Sequence, residues 1–210
     1  MADGMASPDA TQRKRGRLKM LLVLLVCAAP VLASYFTYYV VRPEGRRNFG
    51  ELIATQPLVP AGLVGRTASG AQLPLQQLQG QWLLVSVGDS ACNAACEDHL
   101  YLQRQLRESL GREKDRVDWV WLLTDGQAPP ARLAPAVHSA TVLQVEPQAL
   151  QQWLQPAPGQ ALADHLYLVD PMGRWMLRWP ASLDRSSASK AKRDLERVLR
   201  AAASWDPPGR

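Results

Sequence analysis

The pattern of apolar and polar positions divides the chain near residue 41. From Met20 to Val41 no residue is charged. As a helix this run of 22 residues would reach about 33 Å, enough for a hydrocarbon core of about 30 Å. Tyr35, Phe36, Tyr38 and Tyr39 gather at its far end, where an aromatic belt meets the membrane interface. We therefore read residues 20–41 as one transmembrane helix. A cleaved signal peptide would use Leu21–Ala29 and be cut after Ala33. The apolar run continues eight residues beyond that point, which favours retention. Cys27 as a lipoprotein attachment site is disfavoured, because the residue before it is Val26.

Beyond Val41 the periodicity changes. Residues 42–59 carry Pro43, Gly45 and Pro57 without sustained patterning and read as a tether. The domain is expected over residues 60–203, and residues 204–210 as a tail. Trp82–Val87 and Val117–Leu123 are apolar runs of strand length, with a weaker run at Thr141–Val145. Cys96–Leu110 has Leu100, Leu102, Leu106 and Leu110 at helical spacings, with Gly111 as a C-cap. Pro147 opens a short helix to Leu154. His165–Asp170 and Arg174–Trp179 flank Pro171-Met172-Gly173 and predict a β-hairpin. Ser186–Ala203 is a closing helix with the stripe Leu195, Val198, Leu199 and Ala202. Strands alternating with helices predict an α/β fold: a mostly parallel central sheet with helices on both faces and the hairpin closing one edge.

Composition adds direction rather than class. The net charge is +5, but Arg13, Lys14, Arg15, Arg17 and Lys19 against Asp3 and Asp9 place +3 of it in residues 1–41. The domain lacks the basic stripe of a nucleic-acid binder, so no nucleic-acid partner is expected. The basic cluster precedes the apolar run, so residues 1–19 are expected in the cytoplasm and the domain outside, in the periplasm. Arginine outnumbers lysine, 19 to 5, which suggests a GC-rich bacterial genome and hence a bacterial inner membrane.

The chain has three cysteines. Cys27 falls in the anchor and reads as an apolar membrane residue. Cys92 and Cys96 are spaced Cys-Asn-Ala-Ala-Cys, where a strand gives way to a helix. Unpaired N–H groups and the positive end of the dipole stabilise a thiolate there, which makes a nucleophile or a metal ligand. A purely structural disulfide would close too short a loop to contribute much. Helical residues four apart hold their Cβ atoms about 5–6 Å apart, wider than the roughly 3.5–4.5 Å of a disulfide. On regular helical geometry the spacing therefore favours metal capture over thiol exchange. His99, one turn after Cys96, His138 in a proline-flanked loop and His165 after Asp164 are the candidate imidazoles. Asp164 would orient His165. The plainest reading of each alone is a surface or half-buried polar residue. The strand tryptophans Trp82, Trp119, Trp121, Trp175 and Trp179 read as core or sheet-face residues, and Glu113–Arg116 as a solvated turn.

Gly80-Gln-Trp-Leu-Leu-Val-Ser-Val-Gly88, then Cys92-x-x-x-Cys96 and a helix, then Val117–Leu123 and Leu166-Tyr-Leu-Val-Asp-Pro-Met-Gly173 resemble the Sco/SenC family. Those are membrane-anchored, thioredoxin-fold proteins of copper A centre assembly in cytochrome c oxidase. The resemblance covers about residues 58–203. It implies a thioredoxin-like domain and a dithiol binding Cu(I) or Cu(II). It also implies partners among oxidase subunits or other copper-assembly proteins. Cys92 and Cys96 carry over as metal ligands, or as catalytic thiols in a thiol reductase. The family's prolines after each cysteine are here Asn93 and Glu97. Its histidine ligand falls near Leu162, so His165 is the first candidate and His99 the second. Two other functions fit the same residues: a periplasmic thiol–disulfide oxidoreductase, which would be an enzyme, and a scaffold of oxidase assembly without metal. Against the oxidoreductase stands the absence of Cys-x-x-Cys.

If the basic cluster orients the anchor, a periplasm-active alkaline phosphatase fused after Arg210 will be active. A fluorescent reporter that matures only in the cytoplasm will be dark there, and the reverse pattern would overturn the topology.

Overall fold

A computed structural model describes residues 10–41, 48–181 and 183–206. Contacts divide it into two units, residues 1–46 and 47–210. In the first, helix α1 (Ala10–Phe36) begins ten residues before the apolar run and passes into a π-helical turn at Thr37–Val41. The stretch Arg15–Tyr39 has a mean hydropathy of 2.2 and none of its hydrophobic window is buried by protein. Leu21, Leu22, Val23, Leu24 and Leu25 are all exposed, as expected for a helix whose whole circumference faces lipid. Pro30 sits inside it, which neighbouring polar groups in lipid-spanning helices tolerate.

The second unit is built on one mixed sheet. Its described strands are β1 (Glu51–Leu52), β2 (Val64–Arg66), β3 (Gln72–Pro74), β4 (Trp82–Gly88), β5 (Val117–Leu123), β6 (Thr141–Gln144), β7 (Leu166–Val169) and β8 (Trp175–Arg178). They lie in the order β1-β8-β7-β4-β5-β6-β2-β3. β4, β5 and β6 are parallel, and β7 runs antiparallel to β4. Every residue of β4 is buried, as a strand covered on both faces requires. Alternation decides which face each side chain meets. Trp82, Leu84, Trp119, Trp121, Leu168 and Leu177 pack on one side. Leu83, Val85, Val87, Val120, Leu122 and Tyr167 pack on the other. The first face is covered by α2 (Ala94–Glu108) through Leu100 and Leu106, by the one-turn helix α3 (Ala134–Val137) through Val137, and by α5 (Ala188–Ala202) through Leu195 and Leu199. The second is covered by Val59, Leu63 and Leu75 and by Leu150, Trp153 and Leu154 of and after the short helix α4 (Pro147–Gln151). The two long helices thus share one face, and mostly irregular chain covers the other.

Several expectations change, the mostly parallel sheet among them: five of the seven pairings between described strands are antiparallel and two parallel. The hairpin β7–β8 does not close the sheet, because β1 adds outside β8 with Glu51 opposite Arg178. Residues expected in the tether therefore belong to the domain. Gly50 donates to buried Asp194 at 2.8 Å, Leu58 bridges Arg174, and Val59 donates to the Gly173 carbonyl at 2.8 Å. Gly173 has φ +85°, and a Cβ there would meet Val59 Cγ1 at 2.8 Å, so both the turn and its neighbour demand glycine. The supposed solvated turn is a 3-10 helix, Gly111–Arg116, that buries Arg116.

Arg116 is held from the expected tail. Its Nη2 donates to Asp206 Oδ2 at 2.7 Å and to the Leu199 carbonyl at 3.2 Å, while Trp82 Nε1 donates to the same Asp206 oxygen at 2.6 Å. Both charges of the pair are 6% exposed. Arg116 Nη1 also pairs with exposed Glu113, and removing Asp206 would leave the buried guanidinium to that exposed carboxylate and the Leu199 carbonyl. We expect Asp206→Ala to cost the full-length protein about 3 kcal/mol in denaturant unfolding, and deletion of residues 204–210 no less. A loss below about 1 kcal/mol, the level of an exposed pair, would show that the end does not lock the domain.

Candidate functional site

β4 ends at Gly88 and the chain turns through residues 89–93 into α2. Cys92 donates its amide to the Asp89 carbonyl at 3.2 Å and has φ +32°, a left-handed backbone that costs a non-glycine residue about 1–3 kcal/mol. Asn93 caps α2, its Oδ1 accepting from the Cys96 amide at 3.0 Å, as an N-cap asparagine should. Cys92 and Cys96 are joined as a disulfide, with Cα atoms 5.1 Å apart. The spacing argument for metal over disulfide assumed helical geometry for both cysteines. Cys92 lies outside the helix, and its turned backbone brings the pair within bridging reach. The two residues differ in exposure: Cys92 is buried, whereas Cys96 is half-buried.

The loop is pinned from the β5–β6 connection. Ser90 donates to Asp125 through its amide at 2.9 Å and its hydroxyl at 2.5 Å. Thr124 Oγ1 donates to Asp89 at 3.0 Å. Arg132 donates to the carbonyls of Ala91 and Cys92 and pairs with Glu97. Nothing in the sequence flags Arg132, because its acceptors lie some forty residues earlier and side-chain pattern does not encode that distance.

Beside the pair lies a cleft of about 850 Å³, lined among others by Cys92, Cys96, His99, Trp121, Leu183 and Asp184. On the 183–187 wall, hydrogen bonds from the Ser187 and Ser186 hydroxyls hold the Asp184 carboxyl down at about 2. His99 is therefore at the site. Its Nε2 is buried without a hydrogen-bond partner. Burial holds its pKa low, the Ala163 backbone drawing it the other way.

His165, the first-ranked metal ligand, is placed differently. It is 1% exposed. Its Nδ1 lies 2.8 Å from the Trp179 carbonyl and its Nε2 accepts the Ala157 amide at 3.1 Å. An Nε2 that accepts must leave the proton on Nδ1, so the ring has no lone pair left for copper in this arrangement. Its orienting partner is Trp179; Asp164 instead accepts from the Ala161 amide at 2.8 Å. His138 is exposed, with Nδ1 2.8 Å from the Pro135 carbonyl. Cys27 is free and exposed on α1. Among the described residues no group of three or more His, Cys, Asp or Glu is arranged to hold a metal ion.

A central mixed sheet with a cysteine pair at the start of the first long domain helix defines a thioredoxin-like domain, here preceded by a helix long and apolar enough to cross a membrane. The family model described as transmembrane-like, thioredoxin-like, C-terminal domain matches residues 82–202, and the one described as transmembrane-like, N-terminal domain matches residues 11–41. The chain belongs to this transmembrane-like, thioredoxin-like family. Among solved structures it is similar to apo Sco1 from Thermus thermophilus, with 19% identity over 72% of this chain and 97% of that one and a TM-score of 0.53. Yeast Sco1 with copper bound gives 16% identity over 71% and 96%, with a TM-score of 0.52. A putative electron transport protein from Aquifex aeolicus gives 14% over 70% and 97%, with a TM-score of 0.53. No curated protein matches. The resemblance to Sco/SenC proteins thus holds as a shared fold at low identity.

Two buried, depressed imidazoles give the domain a pH signature. Unfolded, His99 and His165 take up protons near pH 6.5, while burial keeps both neutral to lower pH in the fold. Below about pH 6.5 the unfolded chain binds more protons, so stability is whole above that pH and falls as pH drops towards the folded values. We expect urea midpoints to decline between pH 7 and pH 5. His99→Gln and His165→Gln should each flatten the slope by up to one proton, about 1.4 kcal/mol per pH unit. Slopes identical to the parent in both variants would place the protons elsewhere.

Proposed function

We propose that this chain is a membrane-held thiol–disulfide exchange protein of the bacterial inner membrane that serves assembly of the copper A centre of cytochrome c oxidase. The domain faces the periplasm. The reading rests on one observation: Cys92 and Cys96 stand bridged at the start of α2, both lining a cleft, with Cys92 buried and Cys96 half-buried. The oxidase as client follows from the Sco/SenC resemblance in motif and fold. In the reducing direction the Cys96 thiolate attacks a client disulfide, forming a mixed disulfide and releasing one client thiolate. The Cys92 thiolate then attacks Cys96 Sγ, releasing the second client thiolate and closing the Cys92–Cys96 bridge. Two electrons pass from protein to client, and a further dithiol donor must restore the pair. Cys96 attacks because it is the less buried of the two, and the capped helix start stabilises its thiolate.

A second reading is favoured by His99 lining the same cleft. The reduced pair offers two soft thiolates, suited to Cu(I) as cargo, and an imidazole would extend the site to Cu(II). The unpartnered Nε2 of His99 makes it the better third ligand, and His165 is committed elsewhere.

With its resolving partner removed, Cys92→Ser should trap mixed disulfides in membranes containing oxidase subunits, and Cys96→Ser should trap none. Equal trapping by both, or by neither, would sink exchange through Cys96. Copper measured on the reduced full-length protein should reach one per chain and vanish with either serine variant. Copper retained by both serine variants would end the cargo reading, and no copper on the parent would leave exchange alone.

A further inference from the structure

We propose that Arg132 is the positioning residue of the cysteine pair, a bracket that keeps Cys92 and Cys96 in bridging geometry when they are reduced. The inference rests on the thiol-exchange reading and adds what controls its equilibrium. Arg132 sits in a 3-10 turn, Ala131–Leu133, that follows Pro129-Pro130. Fixed proline dihedrals and buried Leu133 hold its backbone. Its guanidinium then reaches both ends of the cysteine segment. Nη2 donates to the Ala91 carbonyl at 3.2 Å and the Cys92 carbonyl at 2.9 Å, and Nη1 to the Glu97 carboxylate. The acceptors run from just before Cys92 to just after Cys96.

The ion pair with Glu97 is exposed, with side chains 52% and 43% accessible, and such a pair alone contributes about 0–1 kcal/mol. The rigid fork spanning two carbonyls and a carboxylate does more, since it fixes relative position. It acts on the costly residue: the Cys92 backbone, at φ +32°, would relax once the covalent bridge is gone. The bracket's contacts are made in the bridged form and are lost when a reduced turn relaxes, so they favour the bridge over the relaxed dithiol. In the dithiol form it holds the strained turn and keeps the effective concentration of one thiol near the other high. The fork donates to carbonyls, so it acts through the backbone. A role through charge would instead stabilise a thiolate and favour the dithiol, so the two roles differ in sign.

The test uses full-length protein in detergent, equilibrated with glutathione. The exchange is protein disulfide plus two glutathione thiols giving protein dithiol plus glutathione disulfide. We expect Arg132→Gln to raise the constant of this reaction about tenfold, in favour of the dithiol, close to 30 mV. Arg132→Lys, which keeps the charge but not the fork, should fall between, and Glu97→Gln should shift it less. On protein fully reduced with a phosphine, amide hydrogen exchange at residues 91–97 should quicken about tenfold in Arg132→Gln. An equilibrium within twofold of the parent, a shift towards the disulfide, or unchanged amide exchange would each overturn the bracket. If the parent itself does not equilibrate with glutathione, the exchange reading falls, and the amide measurement still decides whether Arg132 orders the loop.

Discussion

Gln103 has no exposed surface, so every polar atom of its amide must be satisfied inside the domain. Its Nε2 donates to the carbonyls of Leu84 in β4 at 2.7 Å and Val120 in β5 at 3.0 Å, and its Oε1 accepts from Ser86 Oγ at 2.9 Å. Leaving one of those groups unpaired would cost about 1–3 kcal/mol. The bonds therefore fix the rotation of α2 as well as its distance from the sheet. Cys96 and His99 lie seven and four residues before Gln103, on the same helical face. The setting that satisfies one amide in the core thus also turns Cys96 and His99 towards the cleft. Leu100 and Leu106 pack beside it, but apolar contacts tolerate small rotations that a three-bond amide does not.

From that setting the asymmetry of the cysteines follows. α2 starts only at Ala94, so Cys96 is in the first turn and Cys92 is two residues outside it. A residue outside the helix must turn back to reach a sulfur inside it, and the positive φ of Cys92 is that turn. Turning back buries Cys92 and leaves Cys96 half-buried, both on the wall of the cleft. Asn93 joins the two by capping the helix at the Cys96 amide.

The parts of this arrangement that were legible in the sequence are those with a repeating pattern. β4 and β5 are continuous apolar runs, α5 carries a regular stripe, and the Pro171-Met172-Gly173 turn announces its hairpin. Each was placed within a few residues. The rest depends on single long-range partners. β1 has two residues, too few for a period, and it exists because β8 offers an unpaired edge. Asp206 had no reason to be more than tail until Arg116 and Trp82 are seen to need an acceptor. Helical spacing places His99 beside Cys96 on the cleft, because the two share a helix. Family position does not decide what His165 does, because nearness to the expected ligand in sequence says nothing about which groups take up its ring nitrogens.

The disulfide itself is poorly explained as a staple. Chain-entropy reasoning for a loop of about five residues gives a stabilisation of about 2 kcal/mol, and the fold does not depend on that contribution. Its sheet is buried on both faces by two apolar clusters, and its ends are locked by Arg116–Asp206 and Arg178–Glu51. Any cycle of bridging and opening requires a domain that stays folded when the pair is reduced. The same loop carries a left-handed non-glycine residue at a cost of about 1–3 kcal/mol, comparable with what the bridge returns. A bridge whose net contribution is near zero serves stability badly, but it can open and close at little cost, as exchange demands.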